Sequence, residues 1–262
     1  MTSPHKCYGF KSSNAFHMVS PLTGKQVIFR IDVDTPTDSL FLNRLHLKHG
    51  YLHYLRTLFH LMGEFGIRAS FMFIPNRTAP SPDILGEVLD TGSEVALHAD
   101  EVVPERLARQ RMEMEQIVGR PIIGISYHGR DLIDFIAQTI TRKTRYVVYH
   151  NPFSSMLAGF RYDATGYLTD RPEFLHLSDK RILLFQNYRD ITLGPPITRL
   201  HESLLLQPLS IYMIHPNYLD KYGLRRPRRG QIRTIFEHIV KRGAQVRTFA
   251  EVCEEYERMA RP

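Results

Sequence analysis

The chain has 262 residues, 43% hydrophobic and 23% charged, the composition of a globular protein with a sizeable core. Its longest strongly apolar runs are strand-sized, which excludes a transmembrane helix. A net charge of +7 and a pI near 9.4 favour an anionic partner: a phosphorylated sugar, an acidic glycan, a nucleotide, a membrane surface or nucleic acid.

Residues 1–25 are polar and turn-rich, an arm before the first strand, without the apolar core of a signal peptide. Cys7 and Cys253 match no metal spacing; two lone thiols suit a reducing compartment, with an end-to-end disulfide as the alternative. The expected location is the cytoplasm. The first strand lies in residues 26–36, QVIFRIDVDTP, where β-branched and aromatic residues give way to Asp32, Val33 and Asp34 before a Thr-Pro turn. Strand side chains alternate, so the two aspartates project to the same side. Carboxylates at the end of an apolar strand are costly unless they meet a cation or do chemistry, the ordinary alternative being a helix cap plus a turn aspartate.

Residues 39–65 carry a helical apolar stripe that includes Leu42, Leu45, Leu52, Leu55, Phe59 and Met62, ending at Gly66. Its histidines (His46, His49, His53 and His60) scatter over more than one face and read as surface or boundary residues. Strands follow at 67–74, 93–98, 122–127 and 145–149, separated by helices at 81–90, 104–118 and 131–141. The third strand ends in His98, the fourth is followed by His128-Gly129 and the fifth by His150. Residues 151–188 are less periodic, with GFRYDAT at 159–165 and a strand at 181–185. A helix at 198–207, a strong strand at 209–214 followed by His215-Pro216, a helix at 227–242, a strand at 244–247 and a helix at 249–259 complete the chain.

Strand and helix alternate without a linker, which predicts one α/β domain over 1–262 with a parallel, helix-covered sheet, open or closed into a barrel. In such folds ligands bind at the carboxyl ends of the strands, where Asp32, Asp34, His98, His128 and His215 all fall. No dinucleotide glycine fingerprint or P-loop follows the first strand. The basic run Arg225–Arg229 reads first as a solvated face; without an RNA-binding, zinc-finger or basic-helix signature beside it, nucleic acid is not the expected partner.

A histidine beside Gly or Pro at a strand end is ordinarily a hydrogen-bonded loop residue. One D-x-D and three such histidines on four strand ends are harder to dismiss. An oxygen ligand and two imidazoles suit a divalent, zinc-like ion with open positions for water. A second carboxylate beside it would serve as general base and a further histidine as acid, the equipment for hydrolysing an amide or ester.

The order of these motifs resembles the polysaccharide deacetylase family, carbohydrate esterase family 4, also called the NodB-homology domain, from about residue 25 to 252. RIDVDTP is similar to the family's first motif, GSEVALH to the second, GISYHG stands where the third forms a wall of the groove, GFRYDAT resembles the strand before the fourth, and IYMIHP the last. The resemblance implies a distorted seven- or eight-stranded parallel (β/α) barrel. It makes Asp32 the base, Asp34 and His98 metal ligands, and His215 the acid, with Asp163 near the site or supporting it and Leu209 and Ile211 as pocket residues. The family's second metal histidine is replaced by Val102, and His128, at a neighbouring strand end, is the expected substitute. The divergent branch with this pattern is associated with surface-polysaccharide or lipopolysaccharide synthesis. The function expected is therefore zinc-dependent removal of an acyl group from an anionic or nucleotide-linked sugar. Alternatives are a degenerate glycan-binding or scaffolding protein on the same fold, and an amidase acting on a non-sugar amide.

Overall fold

Every residue of the first strand, β1 (Gln26–Val33), is buried, so both of its faces must be covered. The computed structural model describes residues 24–34, 51–127, 152–167, 169–192, 207–216 and 229–260. After β1 come α1 (Tyr51–Phe65), β2 (Ser70–Phe73), α2 (Pro75–Thr78), α3 (Pro82–Asp90), β3 (Glu94–Ala99), α4 (Pro104–Val118) and β4 (Gly124–Tyr127). The second half holds α5 (Pro152–Leu157), β5 (Tyr162–Tyr167), β6 (Glu173–Leu177), β7 (Lys180–Gln186), β8 (Arg189–Asp190), β9 (Leu209–Ile214), α6 (Arg229–Lys241), β10 (Gln245–Arg247) and α7 (Phe249–Met259).

One sheet runs in the order β6-β7-β5-β4-β3-β2-β1-β9-β8, with β10 also paired to β1. All of these pairings are parallel except β6 with β7. The sheet curls into a half-barrel flanked by helices, the mixed α/β architecture expected of a distorted (β/α) barrel. Among the described residues its edges, β6 and β8, are not paired to each other.

The alternation along β1 sorts the core into two layers. Val27, Phe29, Ile31 and Val33 join a cluster with Leu55 and Leu58 of α1 and Ile232, Phe236 and Ile239 of α6. Phe29 meets Phe236 edge-on at 4.9 Å, an arrangement favoured by the ring quadrupoles. The other face places Ile28 in a second cluster with Met72, Ala96, Leu183, Phe185, Leu209 and Ile211. Phe249, Val252, Cys253 and Tyr256 of α7 complete it, so the last helix plugs the amino-terminal end of the curled sheet. Cys253 is a buried free thiol there.

Gly124 belongs to this plug. A Cβ at that position would lie 1.8 Å from Cζ of Tyr162, so only a residue without a side chain lets the tyrosine ring cross β4. The Tyr162 hydroxyl then donates to Glu94 Oε1 at 2.5 Å, while Ser70 Oγ donates to Oε2 at 2.7 Å. The Ala250 N–H, at the start of α7, also donates to Glu94 Oε2, at 3.1 Å. That helix is fixed by a reciprocal capping box between Thr248 and Glu251.

Several expectations shift. The strand expected at 67–74 is confined to Ser70–Phe73; at its carboxyl end Pro75 opens a one-turn helix. The strand expected at 122–127 begins at Gly124. In the stretch 151–188 the strand expected at 181–185 is β7, but the short helix and the antiparallel partner β6 are absent from the sequence reading, where alternation is interrupted by charged and exposed residues. The helix expected at 39–65 is described from Tyr51 onward. His60 is an exposed boundary residue paired with Glu64 at 3.3 Å. The elements expected at 131–141 and 145–149, nearly all of that at 198–207, the arm before residue 24, His128, His150 and the cluster 225–228 lie outside the described residues. Among the described residues no helix is long and apolar enough to cross a membrane.

Candidate active site

The inner face of β1 changes character along its length: Ile28 is apolar, Arg30 basic and Asp32 acidic, and Asp34 follows one residue past the strand's end. Strand register brings the histidines to the same height. Ile31 pairs with Ile214, so His215, the next residue, emerges level with Asp32. Val33 pairs with Phe73 and Phe73 with Leu97, so His98 emerges level with Asp34. His98 Nε2 lies 3.0 Å from Asp34 Oδ1 and 3.8 Å from Asp32 Oδ2. His215 Nε2 lies 3.4 Å from Asp34 Oδ2 and 4.0 Å from Asp32 Oδ2. Four of the five predicted site residues therefore meet at the carboxyl end of the sheet, and the fifth, His128, is outside the described residues.

Each imidazole is held from behind through its other nitrogen. Ser126 is the register partner of His98, and its Oγ is 2.8 Å from Nδ1. For His215, Nδ1 is 3.4 Å from Asp190 Oδ2 and 3.3 Å from Thr192 Oγ1, while Thr192 Oγ1 also accepts the His215 N–H at 3.0 Å. Such partners fix ring orientation and leave Nε2 facing the site. Burial opposes a charge on His215, but the Asp190 hydrogen bond and the negative charges of Asp34, Asp32 and Asp190 outweigh it and raise its pKa above the ordinary value.

Asp32 has a partner that the sequence reading missed. The Arg30 guanidinium grips it with two parallel bonds, Nε to Oδ1 and Nη2 to Oδ2, both 2.6 Å. Arg30 and Asp32 are 1% and 2% exposed, so neither charge leans on water. Arg30 Nη1 donates to the Ala164 carbonyl at 2.6 Å, and the ring of Tyr188 faces the guanidinium at 4.7 Å. This environment raises the Arg30 pKa although burial opposes it, so the group is a permanent cation.

Asp163 supports this arrangement rather than joining the site. Its Oδ1 accepts from the Thr165 N–H and hydroxyl at 3.0 and 2.5 Å, and Oδ2 accepts from Ser155 and Tyr167, both at 2.9 Å. These bonds lie at the register irregularity in β5 where the Ala164 carbonyl accepts from Arg30. Leu209 and Ile211, expected as pocket residues, belong instead to the cluster beneath the charges.

A divalent ion fits the donor chemistry at the top of this face. Asp34 and His98 supply a carboxylate oxygen and an imidazole nitrogen, the His98 ring is held by Ser126, and their 3.0 Å separation approaches the ligand–ligand edge of about 3.3 Å in tetrahedral zinc. Among the described residues no group of three or more His, Cys, Asp or Glu forms a finished cage. Val102, where the resemblance expects a ligand, packs against the outer core cluster.

Arg30, Ser126, Asp190 and Thr192 were not singled out from sequence. Arg30 was within reach, because the alternation that aligns Asp32 with Asp34 also aligns Arg30. The partners of His98 and His215 come from other strands and need the register.

No protein-family model matches the chain, and the search of curated proteins returns no match. Solved structures do match in fold. A Mycobacterium smegmatis protein assigned as a polysaccharide deacetylase has 17% identity and a TM-score of 0.64, over 90% of this chain and 92% of that one. Puue allantoinase has 13% identity and a TM-score of 0.65 over 99% of both chains. A family 4 acetyl xylan esterase from Clostridium thermocellum, in complex with a cobalt ion, has 11% identity and a TM-score of 0.50 over 87% and 90%. The chain has the polysaccharide deacetylase fold.

Proposed function

We propose that this chain is a metal-dependent hydrolase that removes an N- or O-acyl group from a sugar, acting in surface-polysaccharide or O-antigen assembly. The observation that carries the reading is the meeting of Asp32, Asp34, His98 and His215 at the carboxyl ends of β1, β3 and β9. Asp34 and His98 would hold the ion, with His128 as a further ligand; zinc suits this donor set. When bound, the ion supplies Lewis acidity, polarising the acyl carbonyl and acidifying water. Asp32, through the Oδ2 turned toward both Nε2 atoms, takes the proton of the attacking water. His215, held by Asp190 with its pKa raised, is protonated more readily at neutral pH and gives a proton from Nε2 to the departing amine or alcohol. The net charge of +7 suits a nucleotide-linked, phosphorylated or acidic sugar, and the cytoplasm is the proposed location.

The test is acetate release by zinc-loaded protein from a panel of N- and O-acetylated saccharides, free and nucleotide-linked, with His98→Ala in parallel. Release that is saccharide-selective and lost with the bound zinc supports the reading. Turnover confined to non-sugar amides would replace it with an amidase, a reading favoured by the similarity to an allantoinase. Zinc-free protein that still binds glycan would point to a degenerate binding protein, which Val102 in the expected ligand position favours.

A further inference from the structure

Asp32 is close enough to compete for the same ion as Asp34. Its Oδ2 lies 3.8 Å from His98 Nε2, and Asp34 Oδ1 lies 3.0 Å from the same nitrogen. A buried carboxylate with nothing but a nearby divalent ion to neutralise it would bind that ion, giving a more closed and more anionic ligand set. A catalytic zinc site needs the reverse, a position left open for water.

Arg30 supplies the competing cation. Its fork engages both Asp32 oxygens, while Ala164 and Tyr188 fix the guanidinium from a third edge and from its face. We propose that Arg30 is a positioning residue that keeps Asp32 off an ion bound by Asp34 and His98, leaving Asp32 free to act on water. This rests on Asp34 and His98 being metal ligands. Lysine at position 30 would keep the charge and lose the two-toothed grip, so it substitutes only in part.

The test is zinc affinity, measured by competition with a chromophoric chelator, for wild type, Arg30→Gln, Asp32→Asn and the Arg30→Gln/Asp32→Asn double variant. Cobalt(II) visible spectra are recorded for the same proteins, and folding is checked by circular dichroism. The expected result is a gain in affinity for Arg30→Gln on the order of tenfold, the scale at which residues behind a ligand act. The gain disappears in the double variant, and the cobalt bands shift only when Asp32 is present and Arg30 absent. A merely structural role for Arg30 would weaken binding or leave it unchanged, with no dependence on Asp32. Folded Arg30→Gln with unchanged or weaker zinc affinity, or a gain that survives Asp32→Asn, overturns the proposal. If Arg30→Gln does not fold, Arg30→Lys carries the test: a smaller, Asp32-dependent gain supports it and no gain overturns it. Wild-type protein that binds no zinc removes the metal site itself, and this inference with it.

Discussion

At the start of β3, Glu94 turns its carboxylate under α7 and accepts from neutral donors: two hydroxyls and a backbone N–H. At the end of β1, Asp32 and Asp34 meet a guanidinium and two imidazoles instead. Both arrangements satisfy carboxylates away from water, but with opposite consequences. At the lower end, burial of the Glu94 carboxyl outweighs its hydrogen bonds and raises its pKa, and the product is a joint between strands and helix. The upper end sets carboxylates against a guanidinium and imidazoles, groups that can move protons or hold a cation. In barrel-like α/β folds the amino-terminal face serves stability and the carboxyl-terminal face chemistry. The difference here is legible in which partners each carboxylate has.

That contrast breaks if substitutions at the two ends act alike. The largest expected effect is on turnover: His215→Ala should slow the proposed acyl hydrolysis, read in the saccharide panel, by on the order of 10²–10⁴-fold. Its thermal unfolding midpoint should change little, and a variant that unfolds rather than slows would refute the assignment as acid. Next is the Arg30–Asp32 fork. Arg30→Met strands a buried carboxylate and should cost about 3–5 kcal/mol in urea unfolding. A cost below about 1 kcal/mol would mean that the charges are solvated.

Smaller effects belong to the lower end. Tyr162→Phe removes the shortest donor to Glu94 and should cost about 1–3 kcal/mol, with zinc affinity and turnover per folded molecule unchanged. Thr248→Ala removes the cap of α7 and should cost about 1 kcal/mol, read in the same unfolding series. Last is a pH slope. Because folding raises the Glu94 pKa, the folded state binds this proton more tightly than the unfolded one. The contribution is full below the ordinary value of 4.5 and declines as pH rises from there through the folded pKa. Unfolding midpoints compared at pH 4.5 and 8 should converge in Glu94→Gln relative to wild type; an unchanged gap would place the slope elsewhere.

Much of the scaffold was readable because alternation and turn residues act locally. The strand at 209–214 and the helices at 104–118 and 249–259 fall where periodicity puts them. The strand-end positions of Asp32, Asp34, His98 and His215 follow from the same reading. What periodicity could not supply was register: that Ser126 stands beside His98, or that β8 brings Asp190 to His215. Those pairings depend on strands far apart in sequence. The strand β6, and with it the hairpin to β7, escaped because β6 presents mostly exposed residues and leaves only a faint apolar trace. Arg30 was missed for a different reason, since cations inside an apolar strand are read as exceptions until their anion is in view.

The tyrosine that crosses β4 ties two distant positions into one unit of inheritance. With Tyr162 in place, any side chain at Gly124 would need the space the ring fills. With a smaller residue at 162 the space opens, but Glu94 loses its closest donor. A lineage of this fold could therefore drift at Gly124 only after it had given up the ring, and would need another way to fasten the last helix before either change was tolerated.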